Sequence, residues 1–300
     1  MAELVLAIFG PTASGKSAVA EEIAQRIPAE LVSADAMQVY RNLPILTNQS
    51  GFPTRLVGIL DLGEEGSVAD YQRLAHDAID EILAAGRTPV VVGGTGLYLR
   101  AALADLELPP PPRPCVRERF ERLYENQGAE RAHELLSERD PAAAAVVHAN
   151  DRRRVVRALE LADAGASLRP ADDRLWSGET RHPTLIVGLD VPADELERRI
   201  ETRTGEMFER GVEEEVARAV AGEVSATARS IHGLQEVAEL PREEATASLI
   251  VSTRRYAAYQ RKWMRRIPGL VRVDGTRPAG EVADEILTLA RQVGSVASAG

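Results

Sequence analysis

The sequence predicts an α/β fold: a parallel sheet with helices on both faces, interrupted by an all-helical insertion. Two observations carry this. Short apolar runs alternate with helix-period segments, the way strand–helix–strand units of a parallel sheet read. A run of four prolines, in "LELPPPPRP" at 106–114, is then followed to about residue 164 by helical patterning alone, before core patterning returns.

The elements follow in order. "ELVLAIF" is a short apolar run stopped by Gly10, as expected of a buried strand. "KSAVAEEIAQRI" has apolar residues at helical spacing. "LVSAD" reads as a strand ending at Asp35, and "RLVGILD" as another ending at Asp61. In "SVADYQRLAHDAIDEILAAG", Ser67 and Asp70 suit an N-cap and its third helical position, and Gly86 suits the stop. "TPVVVGGTG" is a buried strand running into a glycine turn. After the prolines, "RERFERLYENQ", "GAERAHELLSE", "DPAAAAVVH" and "RRRVVRALELADAG" are helical. "PTLIVGLDVP" resumes the sheet; "ADELERRIETRTGEMFERG" is a long helix, further helices follow, and a short strand near "LVRVDG" precedes a closing helix. The core is accordingly assigned to 1–112 and 165–293, the insertion to 113–164, and 294–300 to a frayed tail.

Bulk properties narrow the functional classes. A chain of 300 residues, 44% hydrophobic and 27% charged, builds a substantial core. No apolar run is long enough to span a membrane, and "MAELVLAIFG" lacks the basic start of a signal peptide. The single cysteine, Cys115, has no disulfide or zinc-cluster partner and reads as a packing or surface residue. A cytoplasmic protein and a monomer are expected. A net charge of −10 argues against bulk coating of nucleic acid. Local basic runs nevertheless stand at Arg152, Arg153, Arg154 and Arg157, and at Arg254, Arg255, Arg261, Lys262, Arg265 and Arg266. Two such runs in an acidic chain point to an anionic partner.

The sharpest motif is "GPTASGKS", which fits G-x-x-x-x-G-K-[ST] at Gly10, Gly15, Lys16 and Ser17 with a strand before it and a helix after. Glycines let successive N–H groups converge on phosphate oxygens, and the helix start adds positive potential. Lys16 supplies a point charge and Ser17 a hydroxyl for a magnesium ion. The fold is therefore P-loop NTPase-like. The cradle identifies phosphates and no more: an NTPase, a small-molecule kinase or another diphosphate user would share it. Asp35, at a strand's carboxyl end, belongs beside the cradle. Gln38, three residues on, offers donors and an acceptor to a base edge, so the pair suits an adenine, with Asp35 taking a proton from its amino group. Asp61 is the other acid placed to hold magnesium in a kinase.

Beyond the motif, "GPTASGKS", "SADAMQVYR", "GGTGLYLRAAL", "NDRRRVVRALE" and "GLDVPADELERRIETRTGEMFERGVEEEV" resemble, in content and order, the tRNA dimethylallyltransferase (isopentenyl-diphosphate:tRNA transferase) family. The resemblance runs from residue 4 to about 290. It implies that the cradle holds the diphosphate of dimethylallyl diphosphate. Adenine N6 at position 37 of a tRNA anticodon stem-loop then attacks the allylic carbon, and pyrophosphate leaves. On this reading Asp35 is the general base. The diphosphate is held by Gly10, Pro11, Thr12, Ala13, Ser14, Gly15, Lys16 and Ser17, with Thr12 and Lys16 acting in catalysis and Ser17 on magnesium. Arg199 and Arg203, one helical turn apart, are expected to close over the diphosphate. Contacts to tRNA fall to Asp35, Ala36, Met37, Gln38, Thr95, Arg117, Arg153, Arg154, Arg157 and Gln260. The chain departs from the family at about 42–62, where the usual "YRGMDIGTAK" and "PHHL" are replaced by "YRNLPILTNQSGFPTRLVGILDL". That segment approaches the substrate in the family, so a free adenine nucleotide (AMP, ADP or ATP) stands as the alternative acceptor.

Overall fold

A computed structural model describes residues 4–109, 114–169 and 174–297. It divides into two compact units, Met1–Asp105 with Leu175–Gly300, and Leu106–Arg174.

The larger unit is built on a six-stranded parallel sheet in the order β3-β2-β4-β1-β5-β6. The strands are β1 (Val5–Phe9), β2 (Ala29–Ser33), β3 (Thr54–Arg55), β4 (Thr88–Gly93), β5 (Thr184–Asp190) and β6 (Val271–Asp274). Every residue of β1 and β4 is buried, as a strand covered on both faces requires. Leu6, Ile8, Val90, Val92, Val187 and Leu189 pack with Val19 and Ile23 of α1 (Lys16–Arg26) and Val282, Ile286 and Ala290 of α11 (Ala279–Ala297). Helices α2 (Val68–Ala84) and α3 (Gly96–Leu103) join them, with Ser67 Oγ accepting from Asp70 N–H at 3.1 Å and Gly86 in the left-handed region at φ 70°. The return of the chain adds α7 (Ala193–Glu209), α8 (Val212–Val220), α9 (Leu234–Glu239) and α10 (Arg242–Met264). The closing helix runs through Ala297, past the start of the expected tail; 298–300 lie outside the described residues.

The expected strand "RLVGILD" does not form. Only Thr54–Arg55 pairs with β2, and a single bridge joins Tyr40 to Leu60. Leu56 and Gly58 both take positive φ, 64° and 62°, which breaks an extended run. The run instead folds as turns bonded to the 38–41 stretch, with Gly58 N–H donating to Gln38 O (2.8 Å) and Leu60 N–H to Val39 O (2.9 Å), and the stretch before it is pinned by Glu215 of α8. Its buried carboxylate accepts from Ile45 N–H (2.9 Å) and Leu46 N–H (2.8 Å).

The smaller unit is helical: α4 (Pro114–Arg139), interrupted at Gly128 (φ 85°, ψ 168°), α5 (Pro141–Ala144) and α6 (Arg152–Asp163). Phe120, Leu136, Val147, Val155 and Leu159 form its core. The unit is wider at both ends than the 113–164 expected from the sequence, and residues 110–113, which include three of the four consecutive prolines, lie outside the described residues. Cys115 is exposed.

Candidate active site

Three strands end at one place. After β1 the chain enters the glycine loop, after β2 it reaches Asp35, and after β4 it turns through Gly93, Gly94 and Thr95. Adjacent parallel strands β2, β4 and β1 bring these carboxyl ends together, where an open α/β sheet binds ligands. The approach is close enough to require glycine: a Cβ on Gly93 would stand 2.1 Å from Ala34 O, and one on Gly94 2.2 Å from Gln260 Nε2.

The loop turns on a Ser14 N–H to Pro11 O bond (3.2 Å), with Ala13 and Gly15 at φ 63° and 87°. A non-glycine residue at positive φ is strained, and such strain is held at sites where the backbone must aim its N–H groups. Helix α1 starts at Lys16 with no acidic side chain in its first turn, which leaves its positive end for an anion.

Thr12, Lys16, Ser17, Asp35, Gln38, Thr47, Asn48 and Arg203 line one narrow pocket of about 60 Å³ at the end of β4. Lys16 Nζ folds back to 3.5 Å from Pro11 O. Burial draws its ammonium down to about 8; Asp35 pushes the value up and Arg203 pushes it down again. Arg203 of α7 donates to Thr12 Oγ1. Burial also holds its guanidinium below the usual range, against the raising effect of Asp35. Two cations and one carboxylate thus face a pocket with little solvent, where each charge acts at low screening.

Asp35 Oδ1 accepts from Met37 N–H at 3.0 Å, so one carboxylate oxygen holds the turn. Thr95 Oγ1 accepts from Ala36 N–H at 3.2 Å and lies 3.5 Å from the Tyr256 hydroxyl. Burial raises the Tyr256 phenol well above its ordinary value and Tyr98 to about 12, and the Asp35 charge adds to both. Gln38 is fully engaged: Oε1 accepts from Ser33 Oγ (2.9 Å), and Nε2 donates to Thr47 O and Asn48 O (3.2 Å each). The divergent segment therefore forms a wall of the pocket, through Thr47 and Asn48, which the sequence reading did not single out.

Arg199 Nε pairs with Glu195 (2.7 Å) and its NH1 reaches Ala13 O (3.5 Å) and Gly275 O (3.4 Å), so it braces the outside of the loop while Arg203 enters the pocket. Gln260 is 2% exposed and sits behind the cradle. Asp61 is not at the cradle: it pairs with Arg41 at 3.2 Å and lines a separate, open cleft of about 880 Å³ between 41–63 and α8. That cleft is larger than the pocket at the end of β4, but it contains no residue of the phosphate loop, whereas Thr12, Lys16, Ser17 and Asp35 all line the smaller one. Within the helical unit, Arg117 and Arg157 each pair with the buried Glu160 at 3.2 Å, while Arg153 and Arg154 are exposed and make no ion pair among the described residues.

A phosphate-loop motif after β1, an acid after β2 and an arginine from α7 define the class: an α/β protein whose phosphate-loop motif faces a carboxylate. Comparison with known proteins narrows it. Residues 38–267 match the IPP transferase family and residues 3–56 the isopentenyl transferase family. The chain belongs to the IPP transferase family. It is 40% identical over 277 residues to the tRNA dimethylallyltransferase of Corynebacterium efficiens, covering 87% of this chain and 91% of that one. It is 38% identical over 299 residues to that of Streptomyces griseus, with 95% of each chain covered. Its fold matches the crystal structure of the tRNA isopentenylpyrophosphate transferase of Bacillus halodurans with a TM-score of 0.70 at 31% identity, over 99% and 98% of the two chains. A eukaryotic dimethylallyltransferase acting on tRNA matches with a TM-score of 0.70 at 25% identity, over 91% of this chain and 74% of the other. Among the described residues no helix is long and apolar enough to cross a membrane.

Proposed function

We propose that this chain transfers the dimethylallyl group of dimethylallyl diphosphate to N6 of adenosine 37 in the anticodon stem-loop of tRNA, releasing pyrophosphate. The observation that carries the reading is the convergence of Lys16, Arg203 and Asp35 on one pocket at the head of a phosphate loop. Loop N–H groups, Lys16 and Arg203 stabilise the charge that builds on the departing diphosphate. Asp35 accepts the N6 proton through the oxygen not committed to Met37 N–H as the N6–carbon bond forms and the carbon–oxygen bond breaks. The adenine must leave the loop stack to reach Asp35, at a cost of a few kcal/mol that a loop nucleotide reduces.

Magnesium fits the donor set. Ser17 offers an oxygen ligand in the pocket, and among the described residues no group of three His, Cys, Asp or Glu forms a protein cage. An ion held by one or two protein oxygens plus substrate phosphates is the usual magnesium arrangement, and it would neutralise charge on the leaving group. Arg117, Arg153, Arg154 and Arg157 of the helical unit are assigned to tRNA; Arg153 and Arg154 are exposed cations with no carboxylate partner among the described residues. The protein acts as a monomer in the cytoplasm.

The test is transfer of label from dimethylallyl diphosphate, with magnesium, to unmodified tRNA or to AMP in parallel reactions. Label in tRNA supports the proposal. Label only in AMP moves the acceptor to a free nucleotide, and label in neither overturns the prenyl reading.

A further inference from the structure

We propose that Gln260 is a positioning residue that fixes the phosphate loop against the turn after β4, and so sets the distance between the leaving group and the base. This rests on the transfer reaction proposed above. Gln260 is buried on α10, and both ends of its amide are used within the site. Its Oε1 accepts from Thr12 N–H at 2.7 Å, and its Nε2 donates to Gly94 O at 2.9 Å. One side chain therefore ties the loop that holds the diphosphate to the turn that carries Thr95. Thr95 in turn holds Ala36, the neighbour of Asp35.

The local geometry allows little else there. A Cβ on Gly94 would stand 2.2 Å from Gln260 Nε2 and 3.0 Å from Gly10 O, so amide, turn and loop are packed against one another. One turn earlier on α10, Tyr256 brings its hydroxyl to Thr95 Oγ1. Helix α10 thus contacts both halves of the site. Thr12 is also gripped from α7 by Arg203, so losing Gln260 leaves the loop present but held from one side. Displacement by about an ångström is enough to cost on the order of 10²-fold in rate. A glutamine so enclosed acts through the loop and does not touch RNA.

The experiment uses the full chain with two variants. Inorganic pyrophosphate is titrated calorimetrically, tRNA affinity is measured by filter binding, and transfer kinetics are followed with each substrate varied. Gln260→Ala is expected to weaken pyrophosphate binding and to lower kcat/KM for dimethylallyl diphosphate by about 10- to 100-fold, with tRNA affinity unchanged. Gly94→Ala, which pushes on the same amide, is expected to reproduce this. In the double variant the vacated space removes that clash, so the effects fall short of additive. Melting temperatures identify any variant that fails to fold, and the other then carries the test. Loss of tRNA affinity with donor parameters intact would overturn the inference, as would unchanged pyrophosphate binding. Wild-type protein that binds pyrophosphate but labels no tRNA would fail the functional proposal alone, since the pyrophosphate titrations still decide the role of Gln260.

Discussion

Replacing Asp35 with asparagine separates chemistry from binding. The amide keeps an oxygen for Met37 N–H, now accepted at 3.0 Å, so the turn survives. What is lost is a proton acceptor, and removing a positioned general base lowers rates by about 10²- to 10⁴-fold. The electrostatic consequence is separate. Asp35 is the second-largest influence on Lys16, opposing the burial that draws the ammonium to about 8. Without that carboxylate the lysine titrates lower still. Near pH 7 the diphosphate also loses a neighbouring anion, which favours its binding, so pyrophosphate affinity should change little. The midpoint at which affinity is lost on raising pH should move to lower pH. Single-turnover transfer from labelled donor, with calorimetric pyrophosphate titrations from pH 6.5 to 9, reads both effects. Transfer reduced less than about tenfold would refute the assignment of Asp35 as base. Parallel loss of transfer and pyrophosphate binding would show that the carboxylate serves the cradle.

Lys16→Met should weaken pyrophosphate binding and flatten its pH dependence. In the wild type the ammonium is charged below about 8 and lost above it, so affinity falls as pH rises through that range. Glu215→Ala leaves the N–H groups of Ile45 and Leu46 without their acceptor, and should destabilise the protein by about 1–3 kcal/mol in urea unfolding; Glu215→Gln should recover part of this. Replacing exposed Arg153 and Arg154 together with alanine should weaken tRNA binding and lower the slope of log affinity against log salt by about one per phosphate contact removed, with donor KM unchanged.

Much of this was legible in the chain. The apolar runs of β1, β4 and β5, the Ser67 cap and the phosphate loop depend on local pattern, and each stands where the sequence put it. The run ending in Asp61 failed because it is interrupted by left-handed backbone at Leu56 and Gly58, and its N–H groups bond to the 38–41 stretch, with Gly58 N–H on Gln38 O and Leu60 N–H on Val39 O, and not to a sheet neighbour. Gln260 lies 248 positions from Thr12 in sequence, and Glu215 is 170 from Ile45. Bonds of that separation leave no periodicity to read. Thr47 and Asn48 enter the pocket wall through backbone carbonyls, for which side-chain identity carries little signal.

The central claim is the identity of the acceptor atom. It is tested most directly by supplying labelled dimethylallyl diphosphate with two tRNA transcripts, adenosine or guanosine at position 37, and digesting the product to nucleosides. The account predicts label in the adenosine-37 transcript alone, recovered as N6-prenylated adenosine. Label persisting with guanosine at 37, or recovered on any other nucleoside, would contradict it.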